Sequence, residues 1–443
     1  MLYTNKDLRK LIIPLVFEQL LSILVGMIDV VMIAGVGEAA VSGVSLVDTV
    51  NVLIINITAA LATGGAVVAG HFLGQKDSEN AGRAAWQLVL FSGVLSIAVT
   101  IVLMGVHKPL LSVMFGQVET EVMDSAVTYL LITALSICPL AIYNACAALF
   151  RAMNDSKTTM KIAVVMNLLN LTGNAILIYG AEMGVEGAAW ATTFSRVVAA
   201  ALIMILMFRG ERIISFKGQV TWQLDGALIK RILYIGVPNG LENSLFQLGK
   251  ILLLSLISTL GTYAIAANAV CNTLASLNAL PGQAINLALL SVASMCVGAG
   301  DYRQARYYTA KLMKIAIAST AILSVAMVIF APAIMQVYQL SPEAKTLAVQ
   351  VIRWHAVMAV ILWMPSFTLP NTLRASGDVI WTMVIAIASM WIFRIGFAYL
   401  LSSQTNLGLL GVWIAMTVDW LFRAICYCLR YKGDKWQHFR KAN

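Results

Sequence analysis

The first long apolar run of the chain is interrupted by Glu18, Ser22 and Asp29. At 100° per residue the step from 18 to 29 returns to within roughly 20° of its start, so in a helix the three share one face. Asp29 falls about 10 Å short of the end of that run at 1.5 Å per residue, among Val25, Gly26, Val30 and Met32, with no cation within one helical turn. A charge inside lipid costs about 2.5–3.5 kcal/mol on insertion scales. An unpaired carboxylate there either takes up a proton or holds a cation. Later in the chain Asn167, Asn170 and Asn174 are spaced three and four apart and form one polar stripe. Thr192 and Thr193 follow the small-residue stretch Gly187-Ala188-Ala189. A carboxylate with amide and hydroxyl oxygens makes a hard-oxygen cage suited to sodium, or a hydrogen-bonded carboxyl suited to protons. Hydrogen bonding between helices accounts for the asparagines alone equally well; with Asp29 included, a functional role is favoured.

The second half carries different charges. Lys250 lies two helical turns beyond Glu242, where it would repel cationic ligands, attract anionic ones or neutralise Glu242. Asp419 and Arg423 are four apart on one helix face and, with Arg394, read as structural buried ion pairs. Glu18 and Glu242 each stand four residues past a proline, Pro14 and Pro238. Together with Asn167 and Lys250 they are candidates for contact with a small-molecule substrate. The cysteines Cys138, Cys146, Cys271, Cys296, Cys426 and Cys428 all lie in apolar segments without zinc-like spacing, and the histidines are scattered.

Residues of this kind need lipid-embedded elements to hold them, and the composition demands such elements. Of the 443 residues 60% are apolar and 12% charged, with a mean hydropathy of +0.84. A soluble domain keeps roughly a quarter of its residues charged. In lipid only helices and closed barrels satisfy the backbone, and long runs such as Leu88–Val106 and Ile315–Ile329 select helices over barrel strands. The basic start, Met1–Lys10, precedes a run too long for a signal-peptide core and without a small-residue cleavage site, so the first helix is expected to be retained. An all-α polytopic membrane protein follows. Spans are expected near 11–35, 46–71, 86–106, 124–149, 160–180 and 186–208, then 234–258, 264–297, 313–337, 347–372, 380–401 and 409–429. Residues 1–208 and 232–443 would be two six-helix bundles joined by a cytoplasmic linker, 209–231.

With the N-terminus inside, about 23 lysines and arginines fall on cytoplasmic segments, while Lys108 and Lys345 fall on the far side. Both termini are therefore expected in the cytoplasm, and the net charge of +9 is explained by orientation, with no nucleic-acid partner. The halves also repeat. A shift of 224 residues places Pro14 on Pro238, Glu18 on Glu242, Gly37 on Gly261, Gly74 on Gly298, Asp77 on Asp301 and Gly187 on Gly411. Between these, Arg151 matches Arg374 and Asp155 matches Asp378 at 223. Halves with an even number of spans enter the bilayer in the same direction, so the repeat is a parallel one about a pseudo-two-fold along the membrane normal, with a central cleft expected between bundles.

Several stretches resemble multidrug and toxic compound extrusion (MATE) transporters. They are Pro14 with Asp29-Val-Val-Met-Ile-Ala-Gly35-Val-Gly37, Gly74-Gln75-Lys76-Asp77, and Asn170-Leu-Thr-Gly-Asn174-Ala-Ile-Leu-Ile-Tyr-Gly180. Gly187-Ala-Ala-Trp-Ala-Thr192, Leu260-Gly261 and Gly298-Ala-Gly-Asp301 extend the likeness over essentially the whole chain. The resemblance implies a secondary active exporter, an antiporter of organic cationic or amphipathic compounds driven by inward proton or sodium flux through alternating access. It implies a multi-pass protein of the bacterial inner membrane, monomeric, needing no cofactor beyond the coupling ion. Its cation-coupling site falls on Asp29, Asn170, Asn174 and Thr192, with a sodium ion placed at Asp29 and Asn174. Some members carry an acid where this chain has Asn174. Others have a glutamate in the seventh helix where Phe246 stands, so no acidic cation site is expected in the second half. A flippase for a lipid-linked saccharide, from the same broad superfamily, is the alternative that Lys250 and Arg353 leave open. An enzyme is disfavoured, since no nucleotide-binding loop and no nucleophile–base pair is present.

Overall fold

Every unit of regular structure in the computed structural model is helical, over the described residues 2–116, 119–209, 212–338, 340–405 and 407–437. Met1, Gly210 and Glu211 of the expected linker, and residues 438–443 at the expected cytoplasmic C-terminus lie outside the described residues. The spanning elements are α1 (Asn5–Ala34), α2 (Glu38–Gly74), α3 (Ser78–Phe115), a broken α4 (Thr120–Ala134 and Ile137–Ala152), α5 (Ser156–Gly180) and α6 (Gly184–Phe208). They continue with α7 (Gly226–Ser258), α8 (Thr262–Gly298), α9 (Tyr302–Val337), α10 (Pro342–Ala375), α11 (Val379–Ser402) and α12 (Gly408–Lys432). Among the described residues 11 helices are long and apolar enough to cross a membrane, and the bent α4 makes 12.

Most helices overrun the spans read from hydropathy. The 37 residues of α2 amount to about 55 Å at 1.5 Å each, against a hydrocarbon core of about 30 Å. The extra turns continue the helix beyond the stretch that hydropathy marks. The 50° bend of α4 lies at Leu135-Ser136, four residues before Pro139. That ring lacks the N–H that would bond the Leu135 carbonyl and crowds it sterically.

The chain folds as two compact units, Tyr3–Gly240 and, with Leu2, Leu241 onward. Residues 212–225 pack on the first unit. Phe216 is fully buried and meets Trp86 edge-to-face at 5.3 Å. The Trp86 indole donates to the Thr221 carbonyl at 2.8 Å, and the Gln87 amide donates to that of Gln223 at 2.9 Å.

The repeat persists in backbone detail inside each unit. Gly37 and Gly261, which cap α2 and α8, both have positive φ, at +142° and +105°. Asp77 and Asp301 cap α3 and α9, each at φ −98°. Their carboxylates accept from the Asn80 and Gln304 amides at 3.0 and 2.9 Å. These bonds, with those to the Asn80 and Gln304 side chains, hold both carboxyls below the ordinary carboxylate range.

Within the first unit α2 and α7 meet backbone to backbone. A Cβ added at Gly64 would come 2.4 Å from the Ile232 carbonyl oxygen and 2.9 Å from the Gly236 nitrogen. A main chain cannot move aside as a side chain can. Overpacking costs about 1–3 kcal/mol, which outweighs the ~1 kcal/mol an alanine gains over glycine in a helix. Gly64→Ala is therefore expected to lower the detergent melting temperature; an unchanged or raised value would show that this crossing tolerates a methyl group.

Candidate functional site

Asp29, near the end of α1, faces a cavity of about 250 Å³ that lies wholly within the first unit. Its Oδ1 accepts from the Asn174 amide at 2.9 Å. With the Asn170 amide turned to satisfy both neighbours, its nitrogen donates to Asp29 Oδ1 and Oδ2 at 3.0 and 3.1 Å. Its oxygen then accepts from Thr192 Oγ1 at 3.1 Å. The structure thus brings together Asp29, Asn170, Asn174 and Thr192, and Asn167 lines the same cavity. Among the described residues no basic group comes within 4.0 Å of the Asp29 carboxylate.

Small residues let these helices close. Gly173 of α5 lies against Ala191 of α6, where a Cβ would approach to 2.9 Å, and this draws Asn170 and Thr192 within bonding distance. Gly35 leaves room for Tyr179, whose hydroxyl donates to the Met32 carbonyl at 2.9 Å and ties the end of α5 to α1. Asn174 is the last residue before α5 widens into a π-helical turn, Ala175–Gly180, a feature common at functional sites. The Asn174 Oδ1 is buried without a hydrogen-bond partner. An unspent acceptor beside a carboxylate fits a cation ligand, so these residues suit a sodium ion as well as a proton.

Sequence reasoning missed further members of this site. Asp48 of α2, Arg196 of α6 and Tyr129 of α4 line the cavity. Arg196 donates from Nη1 to Ser136 Oγ at 2.7 Å, at the break in α4. Asp48 carries the signal that singled out Asp29, an acid inside an apolar run. It was hidden by its place at the edge of the second hydropathy span.

The remaining candidates lie elsewhere. Glu18 accepts from Thr159 Oγ1 at 3.0 Å and faces Arg151 Nη1 at 3.7 Å. Glu242 binds Arg374 Nη2 through both oxygens at 2.7 Å. Glu242 is thus paired with Arg374 and not with Lys250, which lines a separate cavity. Asp419 is fully buried, accepts from Arg423 Nε at 2.7 Å and Ser389 Oγ, and lies 3.6 Å from Arg394 Nη1.

Known proteins bear on this arrangement. The family model described as MatE matches the chain twice, over residues 14–176 and 238–400, each limit displaced by the repeat distance. A probable multidrug resistance protein NorM of Thermotoga maritima is 26% identical over 443 residues, covering 98% of this chain and 93% of that protein. An uncharacterized transporter, YisQ of Bacillus subtilis, is 26% identical over 431 residues, covering 96% and 93%. A crystal structure of MATE in complex with MaL6 matches with a TM-score of 0.91 at 22% identity, over 99% of this chain and 97% of that one.

Proposed function

The chain belongs to the MatE family, and from that premise we propose that it is a secondary active exporter of organic, cationic or amphipathic compounds. A proton or sodium ion flowing inward through the Asp29 site drives it, by alternating access of two six-helix halves, 1–208 and 232–443. It works as a monomer in the bacterial inner membrane with both termini in the cytoplasm. Its relatives are named as multidrug resistance proteins, and the family consists of transporters, which need no cofactor.

The observation that carries this reading is the state of Asp29, held by two amides and, among the described residues, with no basic group within 4.0 Å. Two amide donors stabilise a carboxylate without neutralising it. The site offers a carboxylate that a proton, a sodium ion or a positively charged substrate can occupy in turn. Entry of one displaces another, and a ligand that binds one access state better shifts the population toward that state. The nearby Asp48 and Arg196 set the field in which that exchange takes place.

The test is dye efflux from proteoliposomes holding the purified protein and a fluorescent organic cation. An inward pH gradient or an inward sodium gradient is expected to accelerate efflux at least about fivefold, the lower end of coupling free energies. Efflux indifferent to both gradients would overturn the antiport reading.

A further inference from the structure

The second unit holds its own cavity of about 290 Å³, and it occupies the repeat-related position of the first. In the 224-residue register Gly26 becomes Lys250, Asp29 becomes Leu253, Asn170 becomes Arg394 and Thr192 becomes Met416. All eight of these residues line their respective cavities. The acid of the first cavity is replaced by an aliphatic chain, and two cationic heads have been added.

Those cations are not fully compensated. The Arg394 side chain is 9% exposed, and its Nε and Nη1 have no hydrogen-bond partner. The acid facing it is Asp419, at 3.6 Å, whose other oxygen is already bonded by Arg423 and Ser389. Among the described residues no carboxylate lies within 4.0 Å of Lys250, whose ammonium rests 5.2 Å from the Phe246 ring centre. Glu242 is neutralised by Arg374. Lys250, Arg394 and Arg423 against Asp419 leave an excess of positive charge in a low-dielectric wall, which an anion entering the cavity would relieve. The rest of the lining favours an apolar body behind that charge: Leu253, Leu254, Ile257, Val412 and Met416, with the Trp413 ring alongside.

We infer that this second cavity binds amphipathic organic carboxylates, the oxyanion seated between Lys250 and Arg394 and the apolar body against Leu253, Val412 and Met416. A guanidinium beside an ammonium suits the directed, paired lone pairs of a carboxylate better than a spherical halide. The site is distinct from the Asp29 cavity and its occupancy does not depend on ion coupling.

The test is calorimetric titration of the full-length protein in neutral detergent, without an ion gradient, using 1-naphthoate and its uncharged isostere 1-naphthamide. The naphthoate is expected to bind at least about tenfold more tightly than the amide. Lys250→Gln should remove that preference and Lys250→Arg should retain it. If Lys250→Gln fails to fold, the wild-type melting temperature decides: it should rise with naphthoate and not with naphthamide. Equal binding of acid and amide, an unchanged preference in Lys250→Gln, or displacement of naphthoate by equimolar chloride would overturn the inference.

Discussion

Asp29→Asn is expected to abolish gradient-driven efflux in proteoliposomes, lowering it at least about tenfold while leaving the folded protein intact. The substitution preserves size and shape but removes the charge for which, under the proposed function, ions and substrate would compete. It also sets a third amide among the Asn170 and Asn174 donors that now converge on the carboxylate oxygens. One asparagine must rotate to restore a donor–acceptor match, at a cost near that of one hydrogen bond, about 1 kcal/mol. The coupling term is larger, since allosteric linkage between ion and substrate typically carries 1–3 kcal/mol, or roughly 5–150-fold. Efflux is thus predicted to fall far more than the melting temperature. If both gradients still drive dye out of Asp29→Asn vesicles at the wild-type rate, coupling resides elsewhere, and Asp48 becomes the acid to examine.

The largest effect on stability is expected at Asp419→Ala. This carboxylate has no exposed surface and lies between Arg423 at 2.7 Å and Arg394 at 3.6 Å. Removing it strands two buried guanidinium groups beside each other, and breaking a buried pair costs roughly 3–5 kcal/mol. The Ser389 hydroxyl loses its side-chain acceptor and keeps the residue-419 backbone carbonyl, now at 3.0 Å. A strongly depressed melting temperature in detergent is the expected result. Adding Arg423→Met to Asp419→Leu should recover part of the loss, because replacing a whole buried pair by apolar side chains is often close to neutral. A single mutant that melts with the wild type would mean that the three groups interact only weakly.

The helices were legible because lipid leaves the backbone no alternative. Their lengths were less so: polar extensions such as the start of α2 at Glu38 escape hydropathy but continue the same hydrogen-bond ladder. The face of α5 that carries Asn170 and Asn174 follows from helical period alone. Which helix that face meets does not, since periodicity orients a side chain without naming its neighbour. For that reason the polar residues suggested an oxygen cage around Asp29, the family resemblance singled out Asn170, Asn174 and Thr192 for it, and Arg196 and Asp48, on two other helices, stayed unconnected. The same gap left Glu242 without its partner, because Arg374 lies 132 positions away in sequence. The segment 212–225 reads as polar and solvated by composition, yet Phe216 anchors it to Trp86 and Phe208.

The two halves agree in their caps and ion pairs and disagree in the linings of their cavities. Glycine caps, aspartate caps and the Glu18–Arg151 and Glu242–Arg374 pairs recur, whereas Asp29 answers to Leu253 and Asn170 to Arg394. Two identical copies of an ancestral half, associated as a homodimer, would have been obliged to present the same charge twice. Within one polypeptide that constraint is absent, so one cavity can be lined by acids and the other by bases without either substitution being imposed on its twin.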